Sequence, residues 1–257
     1  MVRGLYTGWT GMANEQKRLD IISNNIANSN TVGYKQDSVT NQSFDHQLTI
    51  KIKDASEQFN NKAIGSMSVG VKLGEVYTDY GQGSLRQTEN TFDLALEGSG
   101  FFNVSITDSN GEKTTQYTRD GSFTMTRDGF LVDVNGNYLL GESGDISVPV
   151  DAANIVIDVD GSVYADGTYI DKVKVTDFED YDYLKKMGDN RYVAVDGASE
   201  VDAHATVNQG FTEQSNVNVV SEMVDMIAIT RAYEANQKVI QTIDGTLELA
   251  ANSVGKL

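Results

Sequence analysis

Apolar residues recur every seventh position at both ends of this chain, while the middle is built of short β-type runs. At the start, Leu5, Met12, Leu19 and Ile26 share one register, with Ile22 at the d position between them. That seam predicts a helix over residues 1–30 with an apolar stripe of coiled-coil type. Its last turns are crowded with Asn24, Asn25, Asn28 and Asn30, amides that favour helix ends and bond well to neighbouring chains, and Gly33 follows as a stop. At the other end, Val219, Met226, Tyr233, Ile240 and Leu247 hold one seven-residue register, with Ile229, Ile243 and Ala250 at d positions. A single helix over about residues 217–253 is expected, capped by Ser215 or Asn216, spanning roughly 55 Å at about 1.5 Å per residue.

Between these ends the period changes. Runs such as Phe102–Ile106, Ser122–Thr126, Phe130–Val132, Ile155–Val159 and Val163-Tyr164 are each followed by Asn-Gly or Asp-Gly: Asn110-Gly111, Asp128-Gly129, Asn135-Gly136, Asp160-Gly161 and Asp166-Gly167. This is the strongest short-range hairpin signal. Another strand is expected over Lys172–Phe178. Residues 36–64 are polar with weak periodicity and read as a flexible, partner-dependent segment. The predicted fold is therefore α+β: terminal α-helices pairing as a coiled coil, with an inserted all-antiparallel β domain. The expected division is a terminal helical region, 1–64 plus 211–257, and a β-rich domain, 65–210.

Charge sharpens this division. The net charge is −17, but residues 1–64 carry seven basic and six acidic side chains, and residues 211–257 carry three and six. The remaining −15 lies in residues 65–210, which argues against binding nucleic acid through its phosphates. The chain has no cysteine, so disulfides and thiolate chemistry are excluded. His46 and His204 stand apart with no motif around them. No stretch is apolar enough to cross a membrane, and residues 1–20 lack the pattern of a secretory signal. The nucleotide, hydrolase and zinc-protease motifs are absent. The acidic turns at Asp158, Asp160 and Asp166 lack the spacing of a calcium loop, and turn chemistry explains them. Neither a cofactor nor a small-molecule substrate is expected, and the chain reads as no enzyme. A wall-associated hydrolase and a secreted β-domain binder stay open as readings from other classes.

Three motifs in order carry a family resemblance. Leu19-Asp20-Ile21-Ile22-Ser23-Asn24-Asn25-Ile26-Ala27-Asn28 with Gly33-Tyr34-Lys35 resembles the N-terminal motif of flagellar rod, hook and hook-associated proteins. Leu94–Phe102 and Tyr117-Thr118-Arg119-Asp120-Gly121-Ser122-Phe123 resemble their β domain, and Ser215–Ile227 with Arg231–Asn236 resembles their C-terminal motif. The length favours a rod member over a hook member. Asn208-Gln209-Gly210-Phe211 is similar to distal-rod members, with a proximal-rod or hook-junction subunit as the alternative. The resemblance implies a structural subunit of the basal-body rod that polymerises into a helical tube and transmits torque from motor to hook. It implies terminal helices that order on assembly, neighbouring rod and hook proteins as partners, and a place outside the cytoplasmic membrane. Export through the flagellar type III apparatus is implied too, and Phe44 and Leu48 are similar to a Phe-xxx-apolar pattern read by the export gate. Assembly contacts are expected at Leu5, Met12, Leu19, Ile22, Asn24, Asn25, Ile26, Asn28, Val219, Met226, Tyr233, Ile240 and Leu247.

Overall fold

A computed structural model describes residues 2–50, 63–68, 70–107, 111, 113–188 and 190–254. The chain forms two compact units, one from Met1–Ala27, Asp37–Asp79 and Asn218–Leu257, the other from Asn28–Gln36 and Tyr80–Val217.

The first unit holds both terminal helices, α1 (Val2–Ala27) and α2 (Val219–Leu249), with a turn of π-helix over Ala250–Val254. The helices run antiparallel in contact. A Cβ placed on Gly4 comes within 3.2 Å of Ile243, on Gly8 within 3.2 Å of Ile240, and on Gly11 within 2.9 Å of Asn236. Glycines spaced four and three apart lie on one face of a helix, so their missing side chains let the backbones approach. Leu5, about 100° round the helix from Gly4, lies along the flank of that strip, and Met12 and Leu19 follow it. All three are half-buried.

α2 begins later than its apolar register suggests. Asn218 caps it, its side chain accepting from Val220 N at 3.1 Å and Ser221 N at 3.3 Å. The expected caps are otherwise engaged: Ser215 Oγ accepts from Val217 N, and Asn216 Oδ1 accepts from Gln36 N at 2.8 Å.

Residues 36–50 are not the flexible segment their polarity suggests. Asp37–Ser43 pairs antiparallel with Val71–Thr78, with a bulge between Val39 and Asn41, and Gln47–Ile50 pairs with Ala63–Met67. The ribbon is stabilised by its ladder more than by burial, since the second half of Asp37–Ser43 is exposed. That is why no apolar alternation marks it. Residues 51–62, the rest of that segment, lie outside the described residues. The ribbon touches α1: Asn14 Nδ2 donates to Asn41 Oδ1 at 3.0 Å, and Gly70 packs directly on Thr10.

The second unit is β throughout, and every pairing in it is antiparallel. Its largest sheet has nine strands around Phe101–Thr107. Successive side chains on that strand face opposite ways. Phe102 and Val104 enter one core with Leu94, Phe123, Leu139 and Val163, while Phe101 enters an aromatic core with Tyr117, Phe178 and Tyr192. The turn signals hold. Strands Thr124-Met125 and Leu131-Val132 flank Asp128-Gly129, and Tyr138-Leu139 follows Asn135-Gly136. Ile155–Ile157, Ser162–Ala165 and Thr168–Lys172 form a meander through the two Asp-Gly pairs. Asp166 and Gly167, with φ of 48° and 82°, adopt the left-handed pair such a two-residue turn demands. The turn at Asn110-Gly111 joins two paired strands, Phe101–Thr107 and Lys113–Thr118, though Asn110 itself lies outside the described residues. The strand expected over Lys172–Phe178 is shorter, Val175–Phe178, because Lys172 ends the meander instead. Two short pairs close the unit: Leu94–Glu97 with Thr206–Gln209, and Leu85–Gln87 with Phe211–Glu213.

The cap on α2 is testable. Asn218→Ala is expected to cost about 1 kcal/mol, read as a lowered urea midpoint and greater fraying of amides 219–222 in hydrogen exchange.

Candidate functional site

Segments far apart in sequence meet at one buried carboxylate in the second unit. Glu213 is 1% exposed and sits between two cations that are nearly as buried, Lys35 at 1% and Arg119 at 5%. Lys35 Nζ lies 2.6 Å from Glu213 Oε1, and Arg119 Nη1 lies 3.1 Å from Glu213 Oε2. Two positive charges face one negative, and backbone dipoles take up the excess. Lys35 Nζ also donates to Gly81 O at 2.9 Å, Arg119 Nη2 donates to Gly98 O at 2.7 Å, and the Arg119 guanidinium stacks 5.5 Å from the Phe101 ring centre. Gly83 N adds a third donor to Glu213 Oε1 at 2.9 Å. Every lone pair and proton brought out of water in this way needs such a partner.

The backbone around the cluster explains its glycines. Gly33 N donates to Glu213 O at 2.7 Å. Gly33 has φ of 66°, and a Cβ there would fall 2.4 Å from the Arg119 carbonyl carbon. A Cβ on Gly83 would meet Gln214 O at 1.9 Å. The short segment Asn28–Gln36 is thereby embedded in the β unit. Lys186 Nζ lies 4.3 Å from the Tyr34 ring centre, and Asn190 Nδ2 donates to Val32 O at 2.6 Å.

The remaining ionisable groups serve as structural donors and acceptors. Burial pushes the Tyr181 phenol up to about 12, helped by its bond to Asp177 Oδ1 at 2.7 Å. Burial also raises the Tyr117 phenol, which donates to Glu200 at 2.6 Å. At neutral pH both phenols keep their protons, which suits donors rather than nucleophiles. For Asp177, burial favours the neutral acid, but bonds from Ser99, Tyr181 and Phe178 N outweigh it and hold the carboxyl below its usual range. Among the described residues no group of three or more His, Asp or Glu side chains is placed to hold a metal ion.

The residues expected at assembly contacts are divided between the two units. On α1, Leu5, Met12, Leu19, Ile22 and Ile26 are half-buried and Asn24 is exposed. Asn25 is buried within its own unit, where it donates to Asp37 O at 2.8 Å and Glu222 Oε2 at 3.2 Å and accepts from Asp37 N at 3.1 Å. Asn28, in the second unit, accepts from Thr31 Oγ1 at 3.3 Å. On α2, Val219, Met226, Tyr233 and Ile240 are half-buried, and Leu247 is exposed at the far end. Phe44 and Leu48 are both exposed on the ribbon. Sequence reading quoted Lys35 and Arg119 inside motifs but assigned them no role, and it passed over Glu213. Charged residues amid motif glycines were the one available signal.

Three family models match the chain. They are described as flagella basal body rod protein, over residues 5–35; flagellar hook protein FlgE/F/G D1 domain, over 95–165; and flagellar basal body rod FlgEFG protein C-terminal, over 208–253. Each contributes one member of the buried cluster: Lys35, Arg119 and Glu213. The flagellar basal-body rod protein FlgG of Bacillus subtilis is 32% identical, with 98% of this chain and 99% of that protein covered. The protein of the same name from Caulobacter vibrioides is 34% identical, covering 96% and 97%. The flagellar hook-basal body complex protein FlhO of B. subtilis is 32% identical over 100% of both.

Two substitutions test these joints. Glu213→Ala strands two buried cations and is expected to cost about 3–5 kcal/mol in denaturant unfolding. Replacing Lys35, Arg119 and Glu213 together by Met, Met and Leu is expected to cost less than that single change. In the first unit, Gly8→Leu drives a side chain into Ile240 and is expected to cost about 1–3 kcal/mol, seen as loss of helical circular dichroism at lower temperature.

Proposed function

The chain belongs to the flagellar basal-body rod protein family and is a structural subunit of that rod; from this premise we propose that its copies polymerise into the helical tube of the distal rod. The tube carries torque from motor to hook, outside the cytoplasmic membrane. Its subunits reach that place through the flagellar type III apparatus without a cleaved signal. The terminal helices line the tube as a coiled coil between neighbours, and the β unit surrounds them.

The observation that carries this reading is the buried cluster. A drive shaft needs subunits that do not yield under twist. One charge from each of the three family segments, drawn together at Glu213, cross-links the β unit at its centre. Rigid, bistable-free packing of this kind transmits strain instead of absorbing it. Similarity to proteins named FlgG along nearly the whole chain supports the distal position. The equal identity to FlhO keeps one second reading, a subunit elsewhere in the hook–basal-body complex.

The test is a chain ended after Val217. It retains Thr206–Glu213 and the full buried cluster but lacks α2. It is expected to keep its β circular dichroism, to be absent from purified basal bodies, and to leave a strain lacking the native gene non-motile. Incorporation of the truncated chain would overturn the role given to the terminal helices.

A further inference from the structure

α2 is apolar on two sides, and only one of them is used within the chain. The used side is fixed by contact: Glu222 bonds Asn25, Ile229 is buried, and Asn236, Ile240 and Ile243 meet the α1 glycines. At about 100° per residue, Val220, Met223, Val224 and Ile227 fall about 180° away from that strip. Their exposures are 72%, 50%, 60% and 56%. An apolar stripe this regular on the outer face of a helix marks an interaction surface.

The same unit carries a receptor of matching form. Trp9, Ala13, Phe44 and Leu73 line a groove of about 140 Å³ between α1 and the ribbon, with Lys17 and Lys72 at it. Trp9 is 58% exposed. The groove lies on the side of α1 away from the glycine strip, since Ala13 sits about 180° round from Gly4. Its length along α1, from Trp9 to Lys17, is about 12 Å, and the stripe from Val220 to Ile227 is about 10.5 Å. The charges agree as well. Between residues 219 and 230 the charged side chains are Glu222 and Asp225, both acidic, and the groove offers two lysines.

We propose that the Val220/Met223/Val224/Ile227 face of one copy docks into the Trp9/Phe44/Leu73 groove of a second copy. Within the unit, ribbon, α1 and α2 follow one another, so groove and stripe face opposite ways. A contact between unlike, opposed surfaces cannot close as a two-fold dimer; it adds copies head to tail, as a filament requires. The proposal rests on the rod reading and deepens it by naming the two faces. It assigns the heptad stripe of α2 to packing inside the chain and the opposite stripe to packing between chains.

The chain has no native cysteine, so single cysteines report the contact cleanly. Full-length Lys72→Cys and Met223→Cys are produced singly, together and as a double variant, in a motile strain lacking the native gene. Mild oxidation precedes a non-reducing gel. Leu73→Cys with Val220→Cys serves as an independent second pair. The expected result is a dimer band only where the two single variants are mixed, and a ladder from the double variant. Dimers from either single variant alone would mean a two-fold contact and overturn the proposal. So would cross-links to a protein of another mass. Absence of a ladder from both pairs, in a strain where the unaltered chain restores swimming, would overturn the pairing while leaving the rod reading intact. If the unaltered chain fails to restore swimming, the rod reading falls with it.

Discussion

One carboxylate decides how the β unit closes. Glu213 is held by Lys35, Arg119 and Gly83 N, each from a different stretch of chain. A buried ion cluster is weak evidence of net stability, because removing three charges from water costs nearly what their attraction returns. It is strong as a constraint. The strand Phe211–Glu213 pairs with Leu85–Gln87, and its side chains alternate between faces. A slip of one residue would put Thr212 in the place of Glu213 and leave both cations stranded. The register of the last strand, the entry of Asn28–Gln36 and the turn at Arg119 are thus settled together. The glycines at 33 and 83 follow from this, because backbone must approach where the carboxylate gathers its donors.

The helical unit answers to a different constraint. Its glycine strip removes side chains where α1 meets α2, so little apolar surface is needed to hold that pair. The apolar side chains spared from that contact lie on the flank and on the outer face of α2. A helix apolar on one side is satisfied by its own chain; one apolar on two sides is not. Asn25 shows the same economy in polar groups. Its amide closes onto Asp37 and Glu222 inside the unit, which fixes where the ribbon leaves α1.

What the sequence revealed followed from how local each signal is. Asp128-Gly129, Asn135-Gly136, Asp160-Gly161 and Asp166-Gly167 each determine a hairpin within a few residues, so reading them needed no tertiary knowledge. Both helices were visible from their periods. The ribbon strand Asp37–Ser43 was not, because an exposed two-stranded ladder leaves no alternation to read. The cap moved to Asn218 because Asn216 is claimed by Gln36 N, a partner 180 positions away. The cluster at Glu213 was beyond reach for the same reason: nothing near residue 213 announces residues 35 and 119. The heptads of α1 were legible, but the three glycines beside them carried the contact with α2.

The acidity of the middle segment takes on a physical cause in these terms. Its aspartates are turn devices before they are surface charge. Asp133 accepts from the amides of Asn135 and Asn137, Asp160 from Ser162, Asp166 from Ala153 and Asn154, and Asp171 from Ser143 and Lys172. Each short carboxylate fixes a bend that a β meander of this density requires. A fold that turns so often with aspartate gathers negative charge without any cationic partner to attract. That charge keeps the outward surface of a crowded assembly hydrated and mutually repelling. The near-neutral ends carry no such repulsion, and it is there that copies of one chain can come together.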